Sequence, residues 1–183
     1  MTADFGRIVQ QGYVVADADA AAREWAERTG AGPFYVMDQA LDAYVYRGAA
    51  TPIRLRIAFG FWADMQIELI QPLGDEDSLY SRAVRADPGK LNHYACLVDD
   101  LDGLLARRRL QDRVLQSGTM PTGLKFVYLE AFIPGGLHLE LIQPPPTTLM
   151  AFQGMEALAR RWDGRDPLRS GERLAEDLAA LAG

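Results

Sequence analysis

The sequence predicts an α+β fold made of two tandem βαβββ modules followed by a C-terminal helical tail. Three observations carry that prediction. The segment QIELIQP at 66–72 returns as HLELIQP at 138–144, identical at five of seven positions. Upstream, QQGYVVADADAA from Gln10 aligns with HYACLVDDLDGL from His93, a shift of 83 residues that pairs Val15 with Val98, Asp17 with Asp100 and Asp19 with Asp102. Between each pair of markers the apolar residues read first as a strand, then as a helix, then as further strands. The repeating unit is longer than solenoid periods of roughly 20–50 residues, so two pseudo-symmetric modules are expected.

In the first module, 7–73, an apolar strand over 8–15 runs into Asp17 and Asp19, either of which can accept from the free N–H groups of a helix start. The helix passes through Trp25 and stops at Gly30. Strands are expected over 32–36, 54–62 and 65–70, with a tight turn at Ala63 and Asp64. A polar linker, 74–90, contains a short helix ahead of Pro88 and Gly89. The second module, 91–145, repeats the order with a strand over 91–98, a helix over 101–110, a strand near Val114, and strands over 125–131 and 137–142. Prolines at 144, 145 and 146 end the last strand, and helical patterning over 147–162 and 170–182 makes 146–183 an accessory tail. That tail is expected to pack on the sheet or on a second subunit, with 163–167 as an exposed turn.

The chain has 183 residues and is 49% hydrophobic, enough for a substantial core. A net charge of −6 argues against nucleic acid, which needs clustered Lys and Arg, and suits a bound cation. Cys96 is the only cysteine, so neither a disulfide framework nor a cysteine zinc site is expected. The start, MTADFGRIVQQ, lacks the basic and apolar runs of a signal peptide, and no later run is long enough for a membrane span. A cytoplasmic location is the expectation. Phosphate-binding loops, nucleophile elbows and kinase signatures are absent from the sequence.

Side chains alternate across a strand, so Glu68 shares a face with Gln66 and Ile70, and Glu140 with His138 and Ile142. The two glutamates hold equivalent places in the repeat. A carboxylate within an apolar strand is costly to bury unless it is paired, protonated or bound to a metal. Modules packed with pseudo-twofold symmetry would bring Glu68 and Glu140 together, along with Gln10 and His93 from the two first strands. Two carboxylates, an imidazole and an amide oxygen suit a divalent ion with open positions: Mn, Fe, Co, Ni or Zn.

The segments GYVVADADAAAREW, GAGPFYV, MQIELIQP, HYACLVDDLD and PGGLHLELIQP resemble the glyoxalase-like modules of the vicinal oxygen chelate superfamily, closest in style to its glyoxalase-like and methylmalonyl-CoA epimerase-like members. The resemblance covers nearly all of 7–145. It implies a curved, cup-shaped mixed sheet with metal ligands at Gln10, Glu68, His93 and Glu140, Gln10 standing where such members usually carry histidine. It further implies a homodimer and an isomerase, epimerase or lyase working through an enolate on a small organic acid, thioester or aromatic catabolite, with Glu68 or Glu140 as base. Alternatives are a metal-free, drug-sequestering binding protein and a cyclase or dehydratase using the two carboxylates alone. Ring-opening dioxygenase chemistry needs a second imidazole, which His138 would supply only by reaching around. Tyr44, Tyr46, Phe59, Phe61, Tyr94 and Tyr128 are candidate wall residues and Arg54 or Arg56 a candidate anion clamp, although aromatics in strands more often fill cores and an alternating Arg pair more often faces solvent.

Overall fold

The computed structural model describes residues 5–182. The first half comprises β1 (Ile8–Val14), α1 (Ala18–Thr29), β2 (Phe34–Leu41), a hairpin of β3 (Tyr44–Tyr46) and β4 (Ala49–Ala50), β5 (Ile53–Trp62) and β6 (Met65–Pro72). After α2 (Leu79–Ala86) come β7 (Leu91–Leu97), α3 (Leu101–Arg108), β8 (Val114–Thr119), β9 (Lys125–Ile133) and β10 (Leu137–Gln143). The tail supplies α4 (Pro146–Arg160), β11 (Leu168–Ser170) and α5 (Gly171–Ala182).

The repeated residues build the same joint twice. Asp17 caps α1 by accepting from the Ala20 N–H at 2.9 Å, and Asp100 caps α3 through the Gly103 N–H at 2.9 Å. The glutamine of each ELIQP reaches back to the same helix: Gln71 Oε1 accepts from the Ala18 N–H at 3.0 Å, and Gln143 Oε1 from the Leu101 N–H at 2.9 Å. Each contact satisfies one of the donors that a helix start leaves free. Of the two candidate caps Asp17 and Asp19, Asp17 takes the role, and the Asp19 carboxylate binds Arg56 at 2.7 Å.

The strands form one curved mixed sheet in the order β11-β2-β5-β6-β1-β7-β10-β9-β8-β3-β4. In each half the first strand pairs parallel with the last, β1 with β6 and β7 with β10. The halves join where β1 runs antiparallel to β7, with Gln10 opposite Ala95 and Gly12 opposite His93. That register is symmetric under the 83-residue shift, so the seam is the pseudo-twofold axis. On the outer face Ile67 and Leu69 pack with Ala18 and Ala22 of α1, and Leu139 and Leu141 with Leu101 and Leu104 of α3. The inner face carries Val14, Ile57, Ile70, Phe126 and Ile142 with Leu79 and Tyr80 of α2.

Three features were not expected from the sequence. The β2 strand runs on to Leu41, the β3–β4 hairpin crosses to pair with β8 of the other half, and β11 adds parallel to β2. The sheet edges are thereby extended by segments from distant parts of the chain, and local alternation over three residues gives no signal for that. Among the described residues no helix is long and apolar enough to cross a membrane.

The tail docks on β2 and β5, with Met155 and Leu174 packed against Tyr35 and Phe61. Asp177 ties it down, accepting from the Tyr35 hydroxyl at 2.8 Å, Arg169 at 2.7 Å and Arg173 at 2.8 Å. Burial alone would raise this carboxyl, but the three donors outweigh it and hold it below the usual range. The resulting stability is present above the unfolded carboxylate pKa of about 4 and disappears as the pH falls through the lower folded value. We expect Asp177→Asn to cost about 1–2 kcal/mol at neutral pH, with the gap from wild type closing in strong acid; thermal melts across pH check it.

Candidate active site

Glu68 on β6, His93 on β7 and Glu140 on β10 meet on the inner face, each offering a ligand atom within 4.8 Å of the others. All three are buried, His93 completely. His93 Nε2 lies 3.3 Å from Oε2 of Glu68 and 3.3 Å from Oε2 of Glu140. Neither approach has hydrogen-bond geometry, so both oxygens remain without a donor.

Glu140 stands beside His93's strand, but Glu68 is two strands away, with β1 between. Gly12 closes that distance. It pairs with both Glu68 and His93, and a Cβ at this position would lie 1.8 Å from His93 Cε1. The imidazole therefore lies across β1 in the space a side chain would fill. His93 Nδ1 is 3.2 Å from Asn92 Oδ1, and a proton on Nδ1 shared with that oxygen leaves Nε2 as the nitrogen turned to the carboxylates.

Gln10 is buried on the same face, yet its amide nitrogen donates to Gln66 Oε1 at 2.8 Å, and its own Oε1 is left without a donor. The equivalent pair in the second half is His93 and His138, which face each other across β7 and β10. His138 itself is turned away, its Nδ1 accepting from the Ala131 N–H at 3.1 Å.

Burial alone would depress His93, but the two carboxylates outweigh it and hold the imidazole up at about 9. Burial likewise drives the Glu140 carboxyl up, more than the neighbouring imidazole lowers it. Three buried acceptors without donors, Oε2 of Glu68, Oε2 of Glu140 and Oε1 of Gln10, ask for a cation. Together with the imidazole they fit a first-row divalent ion.

Gln10, Glu68 and Glu140 open onto a cavity of about 340 Å³ whose walls are mostly apolar, with Ile57, Phe59, Phe126 and Ile142 among them. A directed chain of hydrogen bonds ends at the site. The Tyr44 hydroxyl donates to Gln116 Oε1, Gln116 Nε2 to the Tyr80 hydroxyl at 2.9 Å, and Tyr80 to the Tyr128 hydroxyl at 3.3 Å. Tyr128 is left to donate onward, and His93 Nε2 lies 3.3 Å from it. Burial pushes both Tyr80 and Tyr128 well above the usual tyrosine value, so they remain donors.

Of the candidate wall residues, Phe59 and Tyr128 line the cavity. Tyr44 and Tyr46 fill the inner core, Phe61 packs under the tail, and Tyr94 pairs with Gln11 and Leu139 and so faces the other side. Arg56 is not an anion clamp, because Asp19 and Asp38 hold it at 2.7 and 2.9 Å; Arg54 is exposed. Sequence reasoning missed Tyr80, Gln116 and the α4 residues. Tyr80 sits in a linker helix without a repeat partner, and nothing in the chain marks it. Gly12 did leave a signal, a residue without a side chain opposite a candidate ligand.

Two βαβββ halves joined at antiparallel first strands, with acidic and imidazole groups converging on the inner face, define a class of folds built from duplicated modules. Residues 9–128 match the model of the Glyoxalase/Bleomycin resistance protein/Dioxygenase superfamily, and the chain belongs to that family. No curated protein matches the chain in sequence. Among solved structures it is similar to methylmalonyl-CoA epimerase from Mycobacterium tuberculosis, 22% identical with TM-score 0.57 over 78% of this chain and 90% of that one. A Streptomyces coelicolor methylmalonyl-CoA epimerase variant in complex with 2-nitronate-propionyl-CoA is 20% identical, with TM-score 0.55 over 77% and 96%. A hypothetical protein from Bacillus halodurans C-125 is 14% identical, with TM-score 0.53 over 76% and 94%.

Gly12→Ala tests the seam. The added methyl group must displace the His93 ring, and overpacking of this kind costs about 1–3 kcal/mol. We expect a lower melting temperature and a loss of divalent-ion affinity, measured by calorimetric titration.

Proposed function

We propose that this protein is a metal-dependent isomerase or epimerase that moves a proton beside a carbonyl through an enolate. The observation that supports it is the pair of donorless buried carboxylate oxygens, from Glu68 and Glu140, around one imidazole at an apolar cavity that Gln10 also lines. Glu68, His93 and Glu140 would hold the ion, with Gln10 Oε1 as the fourth ligand. When bound, a divalent ion polarises adjacent substrate oxygens and stabilises the enolate. Every other part is supplied by the chain. The apolar walls exclude water, which strengthens each electrostatic contact inside. Tyr128 has its hydroxyl oriented by Tyr80 and Gln116, and it donates to the substrate oxygen on which charge develops. One of Glu68 and Glu140 takes the proton from the substrate carbon; the same carboxyl then delivers it to the neighbouring atom in an isomerisation, or the other carboxyl delivers one to the opposite face of the carbon in an epimerisation. Two of the structural relatives are methylmalonyl-CoA epimerases, which favours this reaction class.

A second reading also has an observation behind it. An imidazole held up at about 9 is charged at neutral pH and offsets one carboxylate without any metal. A metal-free binding protein would use the same apolar cavity. A homodimer accompanies either reading and is checked by sedimentation.

Metal content after purification without chelator decides between the two readings. The enzyme reading expects close to one ion per chain, lost in a His93→Ala, Glu140→Ala double variant. Wild-type protein that takes up no ion even on reconstitution would promote the binding reading. For the proton step, Glu68→Gln and Glu140→Gln are compared by solvent-deuterium incorporation into a substrate found by screening. The base variant should lose exchange by about 100-fold or more while keeping its ion. Tyr128→Phe should lower kcat by about 10-fold or more with little change in ion content.

A further inference from the structure

The cavity's charge and its roof point to a substrate class. Apart from Glu68 and Glu140, the described lining residues carry no formal charge: no Lys, Arg or His side chain is among them. Two carboxylates and one divalent cation already balance. A further carboxylate or phosphate seated beneath the roof, away from the solvent-exposed Thr122 and Thr147, would have no cationic partner. The polar groups away from the cup are neutral, namely Gln39, Thr122, Thr147 and Thr148. Gln39 Oε1 is buried without a donor, so it suits a hydroxyl or N–H and opposes an anion.

The roof comes from the tail. Thr148, Ala151, Phe152 and Met155 of α4, with Leu174 of α5, line the side of the cavity facing the sheet. These helices lie beyond residues 9–128, the span matched by the family model. The cavity is half open to solvent, and its volume of about 340 Å³ sits at the small end of the roughly 300–1,000 Å³ range of ligand pockets.

We infer that the site takes a compact, neutral, largely apolar carbonyl compound, and that the uncharged α4 roof disfavours a carboxylate or phosphate seated beneath it. The inference rests on the metal-dependent reading given above. It places this chain's substrate apart from the nucleotide thioester named for one of its structural relatives.

Manganese-loaded protein is titrated with benzohydroxamate, para-carboxybenzohydroxamate and methylmalonyl-CoA by calorimetry. The first two share one chelating group and differ by a single distal charge. Benzohydroxamate should bind at least ~10-fold more tightly than either of the others. Thr148→Lys, which places a cation in the roof, should narrow the gap between the two hydroxamates severalfold while leaving ion content unchanged. Equal or tighter binding of the carboxylated probe or of methylmalonyl-CoA would overturn the substrate class and leave the metal reading standing. An unchanged ratio in Thr148→Lys would overturn the role of α4. Failure of wild type to bind either the ion or any hydroxamate would remove the metal reading and this inference together.

Discussion

Two carboxylates buried against one imidazole are the constraint around which the inner face is arranged. Left alone, Glu68 and Glu140 would repel each other within an apolar wall, and desolvation would favour protonation of one. His93 relieves part of that cost, because its ring lies over Gly12 and approaches both oxygens at once. The remaining acceptors have no protein donor. The fold thus holds a geometry that a cation completes, and the hydrophobic clusters on either side of the sheet keep it rigid.

The pseudo-twofold seam explains both what is shared between the halves and what is not. Paired capping by Gln71 and Gln143 fixes each helix to the end of its module's last strand, which sets the register that brings Glu68 and Glu140 to equivalent heights. Symmetry stops at the first strands. Where one half has His93 crossing over Gly12, the other has Gln10 facing Ala95 and bonded back to Gln66. The site is therefore three close side chains, with the Gln10 amide tied back to Gln66, rather than a symmetric four-residue ring.

The ELIQP repeat makes the duplicated architecture legible in the sequence, and the period-two alternation within it is enough to place both glutamates on one face. The 83-residue shift also points to His93 and Gln10, since equivalent positions flanking a twofold axis must approach each other. What the sequence does not reveal depends on contacts between distant segments. The β3–β4 hairpin is too short for its alternation to be informative, and it gains its place only by pairing with β8. Tyr80 joins the site because α2 packs under the sheet, and the α4 helix reads as an ordinary amphipathic tail until its apolar stripe is seen to line the cavity.

The central claim is that Glu68, His93 and Glu140 form one cation site. A crystal soaked in manganese and measured for anomalous scattering tests it most directly. One strong peak is expected between these three side chains, with Gln10 Oε1 turned toward it. A map with no peak there, or with manganese bound only at surface carboxylates, would contradict the account.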